Sequence, residues 1–213
     1  MRKAYTLFFA NRQLVTSSLI ALVLLLWSLF INFYAGSYAN EKWITPVTDI
    51  VLSNTKAHDV DAWFIWGILV FFLFVLAWCI RYPEQIPYIL KSIALFIAIR
   101  AVFVTLTHLG PYPDSILIIN TGIMGKINFW ADLFFSGHTG MPFLMALIFW
   151  ENKLLRYLFI LASILFGIIV LLGHLHYSID VLSAFFITYT INHIGEILRK
   201  KDKIHFEKSF SSI

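Results

Sequence analysis

Two short stretches carry the side chains of this chain best suited to chemistry. GHLHYSID (173–180) holds His174, His176 and Asp180, and FFSGHTG (134–140) holds Ser136, Gly137, His138 and Thr139. Both lie in strongly apolar surroundings, where ionisable side chains are costly and commonly functional. His176 and Asp180 are four residues apart, so on a helix they share one face, a turn apart. A carboxylate placed there can accept a hydrogen bond from one imidazole nitrogen and fix the tautomer, leaving the other nitrogen as nucleophile or base. Gly137 permits close backbone approach, and free N–H groups at a helix start favour an anion. The plainer readings are a helix-stabilising His176–Asp180 pair and ordinary interfacial histidines at His108 and His174. His138, His174, His176 and Asp180 could also supply metal ligands. Nothing in their spacing requires a metal, and no metal or cofactor is expected.

Composition says what must position these residues. The chain has 213 residues, 60% apolar and 13% charged, against about 25% charged in a soluble domain, which points to a membrane protein. Its single cysteine, Cys79, precludes an intramolecular disulfide. Six apolar runs approach the ~20 residues of a membrane helix: roughly 14–35, 62–80, 86–107, 131–150, 155–173 and 177–197. The first exceeds the roughly 7–15 residues of a signal h-region and reads as an uncleaved anchor. The expected fold is all-α, a polytopic membrane protein with six transmembrane helices in one bundle. One domain covers 1–213, and 198–213 form a basic cytoplasmic tail.

Lysine and arginine orient the bundle. Twelve of the sixteen lie at the N-terminus, the 81–91 and 151–156 turns and the tail, three (Lys42, Lys56, Lys126) in the opposite loops, and Arg100 within a span. By the positive-inside rule both termini are cytoplasmic. The basic excess is then topological, with no nucleic-acid patch. His138 and His176, distant in sequence, meet at the same outer membrane face. Helix rise places His138 roughly 20 Å from the inner end, somewhat below the outer surface, with Asp180 about one turn deeper than His176, the level of a lipid phosphate. Arg100 sits roughly 10 Å deep, where a guanidinium either snorkels or contacts a phosphate or carboxylate.

DLFFSGHTG (132–140) and GHLHYSIDVLSAFFIT (173–188) resemble two signature motifs of sphingomyelin synthases, relatives of the type 2 phosphatidic acid phosphatases. IRAVFVTLTHLGPYP (99–113) is similar to a third, with Gly110 inserted between Leu109 and Pro111. The resemblance covers roughly 100–188 and implies a His–His–Asp triad of His138, His176 and Asp180. In it His176 attacks phosphorus and forms a phosphohistidine. Asp180 orients His176, and His138 protonates the leaving alcohol and then deprotonates the acceptor. Leu175 departs from the acidic residue usual between the two histidines, which bears on the acceptor or head group.

The phosphatase branch typically carries K-x6-R-P and S-R-x5-H. This chain has no Arg-Pro, and Leu171 and Val170 precede His176 where an arginine would stand. A phosphate monoester carries about −1.5 to −2 charges and needs more cationic compensation than a diester. With mainly Arg100 and Lys126 on the outer face, a diester-linked head group fits better. Asp114, Asp132 and Trp130 could hold a cationic head group such as choline or ethanolamine, with Asp132 also at a matching motif position. The candidate substrate-binding set is therefore Arg100, Ser136, Gly137, Thr139 and Asp132.

The function expected is transfer of a phospho-head-group from a phospholipid to a lipid alcohol, with membrane lipids as donor and acceptor. The alternative is a lipid phosphate phosphatase or phospholipase C-type hydrolase using water with the same triad. A transporter or scaffold would instead spread polar residues through the inner half. Short length and the lack of an extra domain point to a bacterial plasma membrane, the site facing the periplasm. The 36–61 loop reads either as an interfacial cap over the site or as an ordinary connector.

Overall fold

The computed structural model describes residues 2–42, 45–115 and 133–210, which form eight α-helices and no strand. These are α1 (Arg2–Ala10), α2 (Arg12–Lys42), α3 (Asp61–Arg81), α4 (Ile86–Leu106), α5 (Gly137–Ile148), α6 (Lys153–Leu172), α7 (Ser178–Leu198) and α8 (Lys200–Phe210). Five stretches are long and apolar enough to cross a membrane: Arg12–Lys42, Asp61–Arg81, Pro83–Leu106, Lys153–Leu172 and Ser178–Leu198. Their outward side chains stay apolar, with Trp27, Val70, Ile197 and Phe186 between 61% and 75% exposed. Such apolar area suits lipid, not water. The chain is built as a multi-pass membrane protein.

Sequence and structure part at the fourth expected span, 131–150. Its helix, α5, has 12 residues, about 18 Å of rise and short of a ~30 Å hydrocarbon core. Ser136 sets the start: as N-cap, its hydroxyl accepts from the Thr139 N–H at 3.4 Å. The apolar run continues through this cap, so hydropathy alone overruns the helix. Five spanning helices, not six, are therefore present among the described residues. Residues 116–132, with Lys126, Trp130 and Asp132, lie outside the described ones.

α5 is instead the buried axis of the bundle. Eight of its twelve residues are buried, and it packs on α6, α7 and α4. A helix apolar all round is stable only when surrounded. Its neighbours come close at glycines: a Cβ on Gly140 would lie 2.8 Å from the Phe96 ring and 2.9 Å from the Thr188 hydroxyl. Gly140→Ala is therefore expected to cost about 1–3 kcal/mol through overpacking. The check is the thermal midpoint in detergent, which should fall without loss of helical signal.

Backbone direction alternates along the chain, so each end of the bundle collects particular elements. One end holds α1, the start of α2, the Pro83–Gln85 turn and α8. There Tyr5 donates to the Ile80 carbonyl at 2.8 Å, Gln85 donates to Ser209 at 2.7 Å, and Phe206 packs on Tyr88 and Phe149. The other end holds the starts of α3, α5 and α7 and the ends of α2, α4 and α6. Among the described residues Arg12, Arg81, Lys91, Lys153, Arg156 and the α8 cations belong to the first end, and Lys42 and Lys56 to the second.

Candidate active site

The α6–α7 connection decides where each histidine goes. The Leu175 N–H donates to the Val170 carbonyl at 2.9 Å and the His174 N–H to the Leu171 carbonyl at 3.1 Å, the paired bonds of a Schellman helix end. The left-handed position of that motif falls on His174 (φ 55°), while Gly173 stays right-handed. The turn sets His174 Nε2 3.2 Å from the Thr55 hydroxyl and the ring edge-to-face with Tyr112. His176, two residues on, stands at the entry to α7.

α7 opens on a carboxylate that reaches backward. Asp180 Oδ2 accepts from the Tyr177 N–H at 2.9 Å, and the same oxygen lies 3.5 Å from His176 Nδ1. Asp180 is fully buried and His176 nearly so. The His176–Asp180 contact is longer than a hydrogen bond, and an approach of about 0.6 Å would make it one. Neither His176 Nδ1 nor Asp180 Oδ1 has a hydrogen-bond partner among the described residues. With Nδ1 turned to the carboxylate, Nε2 is the nitrogen left for chemistry.

The α5 start is fastened to the same place, its Ser136 N–H donating to the Asp180 carbonyl at 3.1 Å. The His138 ring stacks on Phe64 of α3 at 3.9 Å and meets the edge of Phe166 of α6. Its Nε2 is buried without a hydrogen-bond partner among the described residues. His176 and Arg100 stand near it. Pro142, four residues on, has no N–H to give the His138 carbonyl.

Arg100, on α4, is 8% exposed and donates through Nε to the Phe135 carbonyl at 2.8 Å. A Cβ on Gly137 would lie 3.3 Å from that Nε, which gives this glycine a physical reason. The hydroxyls of Ser136 and Thr139 are 3.2 Å apart, and both residues are fully buried. They serve to cap α5. The fold thus gathers His138, His176, Asp180, Arg100 and the 136–139 turn at one end, where His174 is engaged by Thr55 and Tyr112. Asp132 lies outside the described residues.

Similarity with known proteins bears on what these positions do. Residues 131–196 match the family model described as PAP2 superfamily C-terminal. The match spans 66 of 213 residues and contains His138, His176 and Asp180, while Arg100 lies outside it. It supports the type 2 phosphatidic acid phosphatase superfamily and a phosphatase- or phosphotransferase-type membrane enzyme. No curated protein and no solved structure matches.

Sequence reasoning missed two residues that brace the site. Asp49 is buried and accepts from the Val51 N–H at 2.8 Å, the Leu52 N–H at 3.1 Å and, with its other oxygen, the Ser178 N–H at 2.7 Å. It joins the 45–60 segment to the first residue of α7. The Tyr177 hydroxyl donates to the Gly110 carbonyl at 2.7 Å and accepts from the Val47 N–H at 3.2 Å. Leu52, Leu133 and Tyr177 form a small apolar cluster there. α2 runs on to Lys42, so the first part of the 36–61 loop is helix, while 45–60 pack over the α7 start.

Two groups here tie stability to pH. Burial would raise the Asp49 carboxyl, but the N–H donors of Leu52, Ser178 and Val51 together outweigh it and hold it below the usual range. Burial also lowers the His174 ring, against the pull of Asp114 and Asp49. Both folded-state values are depressed, so the unfolded chain binds more protons and stability rises with pH. The thermal midpoint should be highest above pH ~6.5, falling first as unfolded His174 gains a proton and again below pH ~3.9 through Asp49. Asp49→Asn should remove the second fall in a pH series of melts.

Proposed function

We propose that this protein moves a phospho-head-group from a diester phospholipid to a lipid alcohol through a phosphohistidine on His176. The observation that carries the reading is the orientation of His176. Its Nδ1 faces the buried Asp180 carboxylate, which leaves Nε2 to attack phosphorus. As the Nε2–P bond forms, the P–O bond to diacylglycerol breaks, and His138 gives the departing oxygen its proton. His138 then takes the proton of the incoming alcohol, whose oxygen attacks phosphorus and releases His176.

Arg100 and the α5 start face charge developing on the non-bridging oxygens. The Gly137 and His138 N–H groups occupy helix positions that have no intrahelical acceptor. The absence of Arg-Pro from the sequence suits a diester. On the basic-residue distribution, the site faces outward and the termini face the cytoplasm. The motif resemblance to sphingomyelin synthases supports transfer. The family-model match accommodates a second reading equally, in which water replaces the lipid alcohol and the product is phosphate or a phospho-head-group.

Purified protein given mixed diester phospholipids and phosphatidic acid, with and without diacylglycerol or ceramide, separates the two. New head-group-bearing lipid that requires the acceptor supports transfer. Inorganic phosphate from phosphatidic acid, with no transfer product, overturns it in favour of the phosphatase.

A further inference from the structure

At the end of the bundle opposite His176, a cavity of about 720 Å³ opens between the start of α2, α4 and the α7–α8 junction. Among the described residues its charged lining is Arg12, Lys91, Arg199, Lys200 and Lys201 against one carboxylate, Asp202. That carboxylate is already engaged: Oδ2 lies 2.7 Å from Lys91 Nζ, and Oδ1 accepts from the Ser17 hydroxyl at 2.7 Å. The other four cations have no ion pair among the described residues.

Arg199 is the unusual one. It is 9% exposed, donates through Nε to the Gly195 carbonyl at 2.9 Å and through Nη1 to Ser92, and its Nη2 is buried with no hydrogen-bond partner among the described residues. It also lines a second cavity of about 290 Å³, together with Lys91 and Leu198, which the two cavities share. The second cavity is apolar. Leu24, Trp27 and Ile31 of α2 form one wall and Ala94 and Ala98 of α4 the other. The α2 residues recur at helical spacing, so the groove climbs the helices from the charged end into the apolar layer.

A cationic chamber opening onto an apolar groove matches a ligand that is anionic at one end and hydrocarbon at the other. We propose that this site holds one anionic phospholipid of the adjoining leaflet, its phosphate among Arg12, Lys200 and Lys201 and one acyl chain between α2 and α4. Basic recesses between membrane helices are a general mode of anionic head-group binding. The site is separate from the chemistry, since Asp180 and Leu198 stand at opposite ends of α7, roughly 27 Å apart along its axis. Its lining comes from α2, α4, α7 and α8, so an occupant would clamp α8 beneath the bundle. The inference does not depend on the reaction at His176.

The test uses the full chain as His176→Ala, so that no lipid is turned over, in phosphatidylcholine-containing micelles. Added phosphatidylglycerol should raise the thermal midpoint by at least ~3 °C. The variant Arg12→Gln/Lys200→Gln/Lys201→Gln should bind it about tenfold or more weakly. Lys153→Gln/Arg156→Gln/Lys208→Gln, with equal charge loss at the same end, should bind as the parent does. Ala98→Phe, which fills the groove, should also lose the shift. Equal stabilisation by soluble glycerophosphate would mean a phosphate site without lipid and overturn the proposal. Equal loss in both triple variants would reduce it to general surface charge, and a response to phosphatidylcholine alone would remove the role of the cations.

Discussion

His176→Ala is expected to lower turnover by ~10³-fold or more, whereas His174→Gly should keep most of the activity. The two histidines are separated by one residue, yet the structure gives them different work. His176 sits at the α7 entry with Nδ1 toward Asp180, while His174 occupies the left-handed position of the α6 end and meets Thr55 and Tyr112. Glycine adopts that backbone conformation without a Cβ penalty, so the loss of one hydrogen bond to Thr55 is partly offset. The two variants therefore report on chemistry and packing respectively. Initial rates should be read with thermal midpoints, since His176→Ala should leave the fold intact. Asp180→Asn should fall between them in rate, because it keeps an oxygen for the Tyr177 N–H but loses the charge that supports an imidazolium. Equal losses in His176→Ala and His174→Gly, with both proteins folded, would sink the assignment of His176 as nucleophile.

What the sequence made legible follows from locality. His176 and Asp180 are one helical turn apart, and that relation needs only the helix period. The meeting of His138 with His176 needs only the alternation of helix direction, which lysine and arginine placement reports. Three features were hidden for stated reasons. The start of α5 depends on a single capping hydroxyl, Ser136, inside an unbroken apolar run. The left-handed residue after α6 is His174 although Gly173 precedes it, because the helix runs one residue further than the glycine suggests. Asp49 meets Ser178 across 129 positions, a tertiary contact that no local pattern encodes. A local hint existed in its Asp-x-x spacing to Leu52, whose N–H it accepts.

Arg100→Lys is expected to lower kcat/KM by about 10²-fold while the thermal midpoint changes little. Arg100 holds the Phe135 carbonyl through Nε, and that bond fixes the backbone just before the α5 cap. A guanidinium carries five N–H donors in a fixed fork, so the planar group can hold a backbone carbonyl and address a phosphate oxygen together. Lysine has a single ammonium on a flexible stem and must choose between the carbonyl and the substrate. Gly137 supplies an independent check on the same contact. A methyl group there would lie 3.3 Å from Nε and 3.7 Å from Cζ, close enough to displace the guanidinium by a few tenths of an ångström. Gly137→Ala should therefore lower kcat/KM by acting on Arg100, and in an Arg100→Lys background most of its effect should vanish. Additive losses in the double variant would place the role of Gly137 in α5 itself and separate it from the arginine.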